Sequence, residues 1–187
     1  ERPGCNVSGT IDLNPIDEQI PFMEKIVPNL KKLGIIYNAG EINSEVQVSL
    51  IKEKIKDSSI EEIVEASVAT SSEVMQAAQS LVNRVDAIYI PTDNTVISAY
   101  SAVVQVAEEN KKPLFTAESS MIRSGGIGTV SIEYFELGEQ TSDMAKRIFV
   151  GENIEEMSIE KQKNPKIIIN RAGAERVGIT LPEEIID

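Results

Sequence analysis

"VDAIYIPTDNTVISAY" (Val85–Tyr100) decides how the chain must fold. The apolar run Ala87–Ile90 is stopped by Pro91, and Thr92, Asp93 and Asn94 follow. Apolar residues then return at helical spacing, which predicts a helix over 95–110. A short, unbroken, β-branched run reads as a strand buried on both faces. A strand that feeds a helix through so few residues is half of a βαβ unit, and such units build parallel sheets.

The same rhythm extends both ways. "LGIIY" (33–37) predicts a strand, and a helix follows it with Val46, Leu50, Ile51 and Ile55 as its inward stripe. "EEIVEASV" (61–68) and "PLFTA" (113–117) predict two more strands, with a helix on Val74, Ala77, Ala78 and Leu81 between. Before them, Ile16, Ile20, Met23, Ile26 and Val27 fit a helix that Pro21 should kink or restart. After residue 117 the rhythm changes. "SSMIRSGGIGTV" is rich in Gly and Ser, "TVSIEY" is strand-like, 136–150 is helical, and "KIIIN" is a last strand. The fold class is therefore α/β, a parallel sheet flanked by helices.

Bulk properties restrict the function. The 187 residues hold 30 acidic and 18 basic side chains, a net charge of -12. That field repels nucleic acid and anionic lipid, so neither is an expected partner. Histidine is absent and cysteine occurs once, at Cys5. The commonest general base is therefore missing, and no metal or other cofactor is expected. No nucleophile elbow, P-loop or dinucleotide fingerprint occurs. An enzyme is not expected.

Ligands of parallel α/β sheets bind beyond the carboxyl ends of the strands. Three loops there share a character: Asn38–Ser44, Ala69–Ser72 and Thr92–Thr95 each join a strand end to a helix start through small polar residues. Helix N-termini and hydroxyls suit a carboxylate, and Asp93 suits an ammonium group. An α-amino acid needs both. Each residue also has a plainer reading. Ser44 with Gln47, and Thr70 with Glu73, match capping boxes, and Asp93 is a good N-cap. Tyr134 fits a half-buried aromatic.

"RPGCNVSGTIDLNPIDEQI", "LGIIYN", "NSEVQV", "VDAIYIPTDNTVISA", "KPLFTAE", "GIGTVSIEYFELGEQTSDMAKRI" and "NRAGAERVGITLPE" together resemble the ABC-transporter substrate-binding protein family that includes tryptophan- and other aromatic amino-acid-binding proteins. The resemblance runs over essentially the whole chain. It implies a type 1 periplasmic-binding-protein fold, with ligand trapped between two α/β lobes. It assigns 12–115 and 160–187 to the C-terminal lobe, and 116–158 to a segment that completes the N-terminal lobe. On this reading the signal or lipoprotein segment and most of the N-terminal lobe lie outside the chain. The uncovered apolar side of 116–158 is then expected to form a homodimer or to be poorly ordered.

The family's motif residues are in place at Asn43, Ser44, Asp93 and Asn94, and Ser8, Thr70, Glu118 and Tyr134 join them as expected ligand-binding positions. The leader departs from the family's "RPGGNVTG" at Cys5 and Ser8. The implied function is extracytoplasmic capture of an amino acid, possession of a membrane permease partner, and attachment in the periplasm or at the outer surface. A ligand-sensing regulatory domain or an enzyme on the same fold is the alternative.

Overall fold

The computed structural model describes residues 2–186. They fall into two compact units, one of residues 16–130 and 167–186 and one of residues 2–15 and 131–166.

The larger unit is built on a six-stranded sheet. Its strands are β2 (Lys32–Tyr37), β3 (Glu62–Ser67), β4 (Ala87–Ile90), β5 (Leu114–Thr116), β6 (Gly128–Ser131) and β8 (Lys166–Ile169), in spatial order β3-β2-β4-β5-β6-β8. The β2–β3, β2–β4, β4–β5 and β5–β6 pairs are all parallel. The sequence centred four strands on Ile35, Val64, Ile88 and Leu114, and all four are present.

Helices cover both faces: α1 (Ile16–Ile26), α2 (Ile42–Lys54), α3 (Val74–Leu81), α4 (Asn94–Ser98), α5 (Tyr100–Glu109), α7 (Arg171–Val177) and α8 (Glu183–Ile186). Two apolar clusters result. On one face Leu33, Ile35, Tyr89 and Phe115 pack with α1 and α2 residues such as Met23, Ile26 and Ile51. On the other Ile36, Val64, Ile88 and Leu114 pack with Val74, Leu81, Val103 and Val106. Alternate residues of each strand thus feed opposite cores, which is why the strands read as continuous apolar runs.

Three local expectations change. α1 runs unbroken through Pro21, which is exposed and sits past the first turn. The helix expected over 95–110 is two helices, parted at Ala99. α2 begins at Ile42 and buries Ser44, Gln47, Val48 and Ile51, while Val46 is exposed. Its inward face is polar at the start because it meets a loop there, as described below.

The chain leaves this unit at 130/131 rather than at the expected 115/116. The physical reason is strand pairing: β6 lies beside β5 in the same sheet, so 117–130 stays with it. Gly125, at φ +135, ends a 3₁₀ turn (Ser119–Ser124) and turns the chain back toward β6. A buried relay sits at the exit. The Tyr89 hydroxyl donates to Gln19 Oε1 at 2.7 Å, and Gln19 Nε2 donates to the Val130 carbonyl at 2.7 Å.

In the smaller unit β1 (Thr10–Ile11) pairs in parallel with β7 (Glu160–Lys161). The 16-residue helix α6 (Tyr134–Phe149) lies against β1, and Thr10 and Thr141 share a 2.6 Å hydroxyl hydrogen bond. Leu137 and Met144 are its buried residues, while Thr141 is exposed and Ile148 is 37% exposed. Tyr134, Phe135, Phe149 and Val150 are exposed. Arg147 holds Glu152 and Glu160 together by ion pairs at 2.7 and 2.8 Å.

Candidate functional site

The strand order reverses between β2 and β4. From β2 the chain adds β3 on one side, then crosses back to add β4 on the other. Loops leaving such neighbours diverge above the sheet and open a crevice at the carboxyl edge. Here they are residues 38–41, after β2, and 91–93, after β4.

Side chains tie these two loops together. Asp93 caps α4: its Oδ1 accepts from Val96 N at 2.8 Å. Its Oδ2 accepts from Asn38 N at 2.6 Å and from Ser44 Oγ at 2.7 Å. Asp93 and Ser44 are both fully buried. Thr92 is gripped as well, its carbonyl accepting from Asn43 Nδ2 at 2.6 Å and its N–H donating to Gln47 Oε1 at 3.1 Å.

Glu41 adds the second tie. Its Oε1 accepts from Thr95 N at 2.9 Å and Thr95 Oγ1 at 2.7 Å. Its Oε2 accepts from Asn94 N and Asn94 Nδ2, both at 2.9 Å. Desolvation opposes the charge, but the four donors outweigh it and hold the carboxyl below the usual glutamate range. Glu41 and Asp93 together take the first three N–H groups of α4, the groups a helix start leaves unpaired.

These contacts give four of the expected residues partners within the protein. Asp93 is buried, and both of its oxygens accept from protein donors. Ser44 is not an N-cap. It lies inside α2, whose N-cap is Glu41, and its hydroxyl meets Asp93 Oδ2 at 2.7 Å and the Thr92 carbonyl at 3.0 Å. Asn94 is exposed but its side-chain amide donates to Glu41. Asn43 is exposed, and its Nδ2 donates one hydrogen bond, to the Thr92 carbonyl.

The other expected residues are more scattered. Thr70 is exposed and precedes the 3₁₀ turn Ser71–Glu73, which packs against α4. Its hydroxyl shares a 2.8 Å hydrogen bond with Ser72, and Glu73 reaches back to Ala69 N at 2.8 Å, so half of the expected capping box forms, one residue early. Glu118 follows β5 and is half-buried. Burial pushes its carboxyl up, and the Ser120 hydroxyl, 3.5 Å away, offsets only part of that. Ser8 and Tyr134 belong to the smaller unit. Ser8 Oγ lies 3.3 Å from the carbonyls of Met157 and Ser158, so it anchors the leader, and Tyr134 is 61% exposed.

Glu41 is the residue that the sequence reading missed. The available signal was the start of α4, whose amides need acceptors, with a carboxylate in the neighbouring βα loop. Among the described residues no cluster of side chains suits a metal ion.

Residues 1–187 match the family described as ABC transporter substrate binding protein. A tyrosine-binding protein of Clostridioides difficile (strain R20291) is 38% identical over 170 residues, covering 91% of this chain and 49% of that protein. The chain thus spans about half the length of this curated relative. An ABC domain from Streptococcus pneumonia, solved in complex with L-Trp, superposes with a TM-score of 0.83 at 30% identity, covering 99% of this chain and 62% of that one. The ligand-free, open structure of a Clostridium difficile substrate-binding protein with adhesive properties gives 0.86 at 37% identity, covering 98% and 62%. With a single family pattern running its whole length, this chain belongs to the ABC transporter substrate-binding protein family.

Proposed function

We propose that the chain is the ligand-binding part of the solute receptor of an ABC importer, and that it takes an aromatic L-amino acid. The carrying observation is the carboxyl edge of the larger unit. Its loops are polar, and those at the switch point are tied together by the hydrogen bonds of Asp93 and Glu41. Preformed donors and acceptors on rigid loops suit reversible capture of a small polar solute. The relatives that bind tyrosine or L-Trp point to the aromatic class.

In this reading the larger unit is the C-terminal lobe and the smaller unit belongs to the other lobe. The receptor works outside the cytoplasm, as a periplasmic or lipid-anchored protein, and hands its ligand to a membrane permease. No helix among the described residues is long and apolar enough to cross a membrane. It is a carrier rather than an enzyme: the Ser44 hydroxyl that meets the Asp93 carboxylate at this edge is completely buried, out of reach of a substrate. Exposed Asn43 and Thr70 are the polar side chains we place on the ligand's carboxylate side.

Thermal-shift measurements on the full-length gene product, against the common amino acids and a set of sugars, test this. Ligand at a hundred times its Kd stabilises by about 2.7 kcal/mol. Tyrosine, tryptophan or phenylalanine should raise Tm. A rise with a sugar alone, or with none of them, overturns the proposal.

A further inference from the structure

We propose that Glu118 is the carboxylate that pairs with the ligand's ammonium group. The inference rests on the amino-acid reading above and assigns a role within it. The four loops at the carboxyl edge of the larger unit, residues 38–43, 68–73, 91–95 and 117–124, carry four carboxylates and one base, Arg123. That excess of negative charge favours a cationic group on the ligand.

Three of the four carboxylates are answered by the protein. Glu41 accepts four hydrogen bonds from Asn94 and Thr95. Asp93 accepts three, from Asn38, Ser44 and Val96. Glu73 accepts from Ala69 N. Glu118 differs. It is the N-cap residue of the 3₁₀ turn Ser119–Ser124, yet its side chain makes no capping bond. Among the described residues its one side-chain hydrogen bond is from the Ser120 hydroxyl at 3.5 Å, the limit of such a bond.

Its place is held by the backbone. Thr116 Oγ1 donates to the Glu118 carbonyl at 2.8 Å, and Ala117 N donates to the Ile90 carbonyl at 2.9 Å. Glu118 therefore sits on a fixed turn beside the end of β4, one strand from the β2/β4 crevice. A half-buried carboxylate without a strong donor costs solvation free energy that an ammonium partner restores. Its partial burial also strengthens such a pair relative to one in open water.

Calorimetry on the full-length gene product decides it, with L-tryptophan, L-tyrosine and their des-amino analogues 3-indolepropionate and 3-(4-hydroxyphenyl)propionate as ligands. Wild type should bind the amino acids more tightly than the analogues. Glu118→Gln should weaken amino-acid binding about tenfold to a hundredfold, the range for a lost charge-assisted hydrogen bond, and leave the analogues unchanged. An unchanged melting temperature checks the fold of the variant. Should Glu118→Gln keep the full preference for the amino group, the assignment fails. Absence of amino-acid binding by wild type overturns the functional reading itself, a separate outcome. Glu118→Asp gives a second arm: the charge remains but is shorter, so it should recover part of the preference, and equal loss in both variants also contradicts the pairing.

Discussion

Ser44 Oγ donates to Asp93 Oδ2 across 2.7 Å, and both side chains are completely buried. One residue lies in the first turn of α2 and the other in the loop after β4. Their bond closes the two loops that border the switch point, and Asn38 N and Val96 N complete the carboxylate's coordination.

Asp93→Ala should therefore destabilise the protein by ~2–4 kcal/mol, because three donors lose their acceptor and two of them are backbone N–H groups. Ser44→Ala should cost less, ~1 kcal/mol, since Asp93 keeps its backbone partners. Urea denaturation of both variants checks the order. Equal effects would mean that the hydroxyl, rather than the backbone donors, dominates the site.

Glu41 makes an acid-sensitive contribution. Its folded carboxyl is held below its ordinary value. Its stabilisation is then fully present above the unfolded value of ~4.3 and is lost as pH falls through the lower folded value. Glu41→Gln should lower stability at neutral pH by about 1–2 kcal/mol and make the loss of stability between neutral pH and pH ~3 smaller than in wild type. Denaturation curves at the two pH values measure this, and an acid slope identical to wild type would count against it.

The Gln19–Tyr89 relay predicts coupling. Tyr89→Phe leaves Gln19 Oε1 without its donor, and Gln19→Leu strands both the Tyr89 hydroxyl and the Val130 carbonyl. Expected losses are ~1–2 and ~2–4 kcal/mol, and the double variant should lose less than their sum because the shared bond is counted once. Strict additivity in a double-mutant cycle would show that the two side chains act independently.

Gly125→Ala should be among the costlier glycine changes. The residue sits at φ +135, and an added Cβ would run into the Val104 side chain, itself part of a helix packed on the core. A loss of ~2 kcal/mol or more is expected from backbone strain and overpacking together. Gly138→Ala, where nothing approaches an added Cβ, is the control and should be neutral or stabilising.

The sequence made the sheet legible because both of its faces are buried, so each strand appears as an apolar run between turn signals. Ile35, Val64, Ile88 and Leu114 fell where expected for that reason. Leu50, Ile51 and Ile55 of α2 pack on the core as read, but Val46 does not, because the start of α2 buries Ser44 and Gln47 to hold the Thr92–Asp93 loop and hydrophobic periodicity is blind to a polar interior face. Position was also easier to read than direction. Asp93 stands at the strand end where the sequence put it, but its carboxylate turns into the protein. A buried cap and a ligand contact use the same residue type at the same place in the chain, and only the donors around it distinguish them. Glu41 escaped notice because its partners lie in another βα loop, 53 and 54 residues along the chain.

The central claim is that ligand is read by the carboxyl edge of the larger unit's sheet. The most direct test is amide chemical-shift mapping of the ¹⁵N-labelled full-length protein titrated with L-tyrosine or L-tryptophan. The account predicts its largest changes, within this unit, in the loops 38–43, 69–73, 91–95 and 117–124, at Glu118 and its neighbours among them. Changes concentrated instead at the opposite strand ends, around Lys32, Arg84 and Lys112, with those loops unmoved, would contradict it.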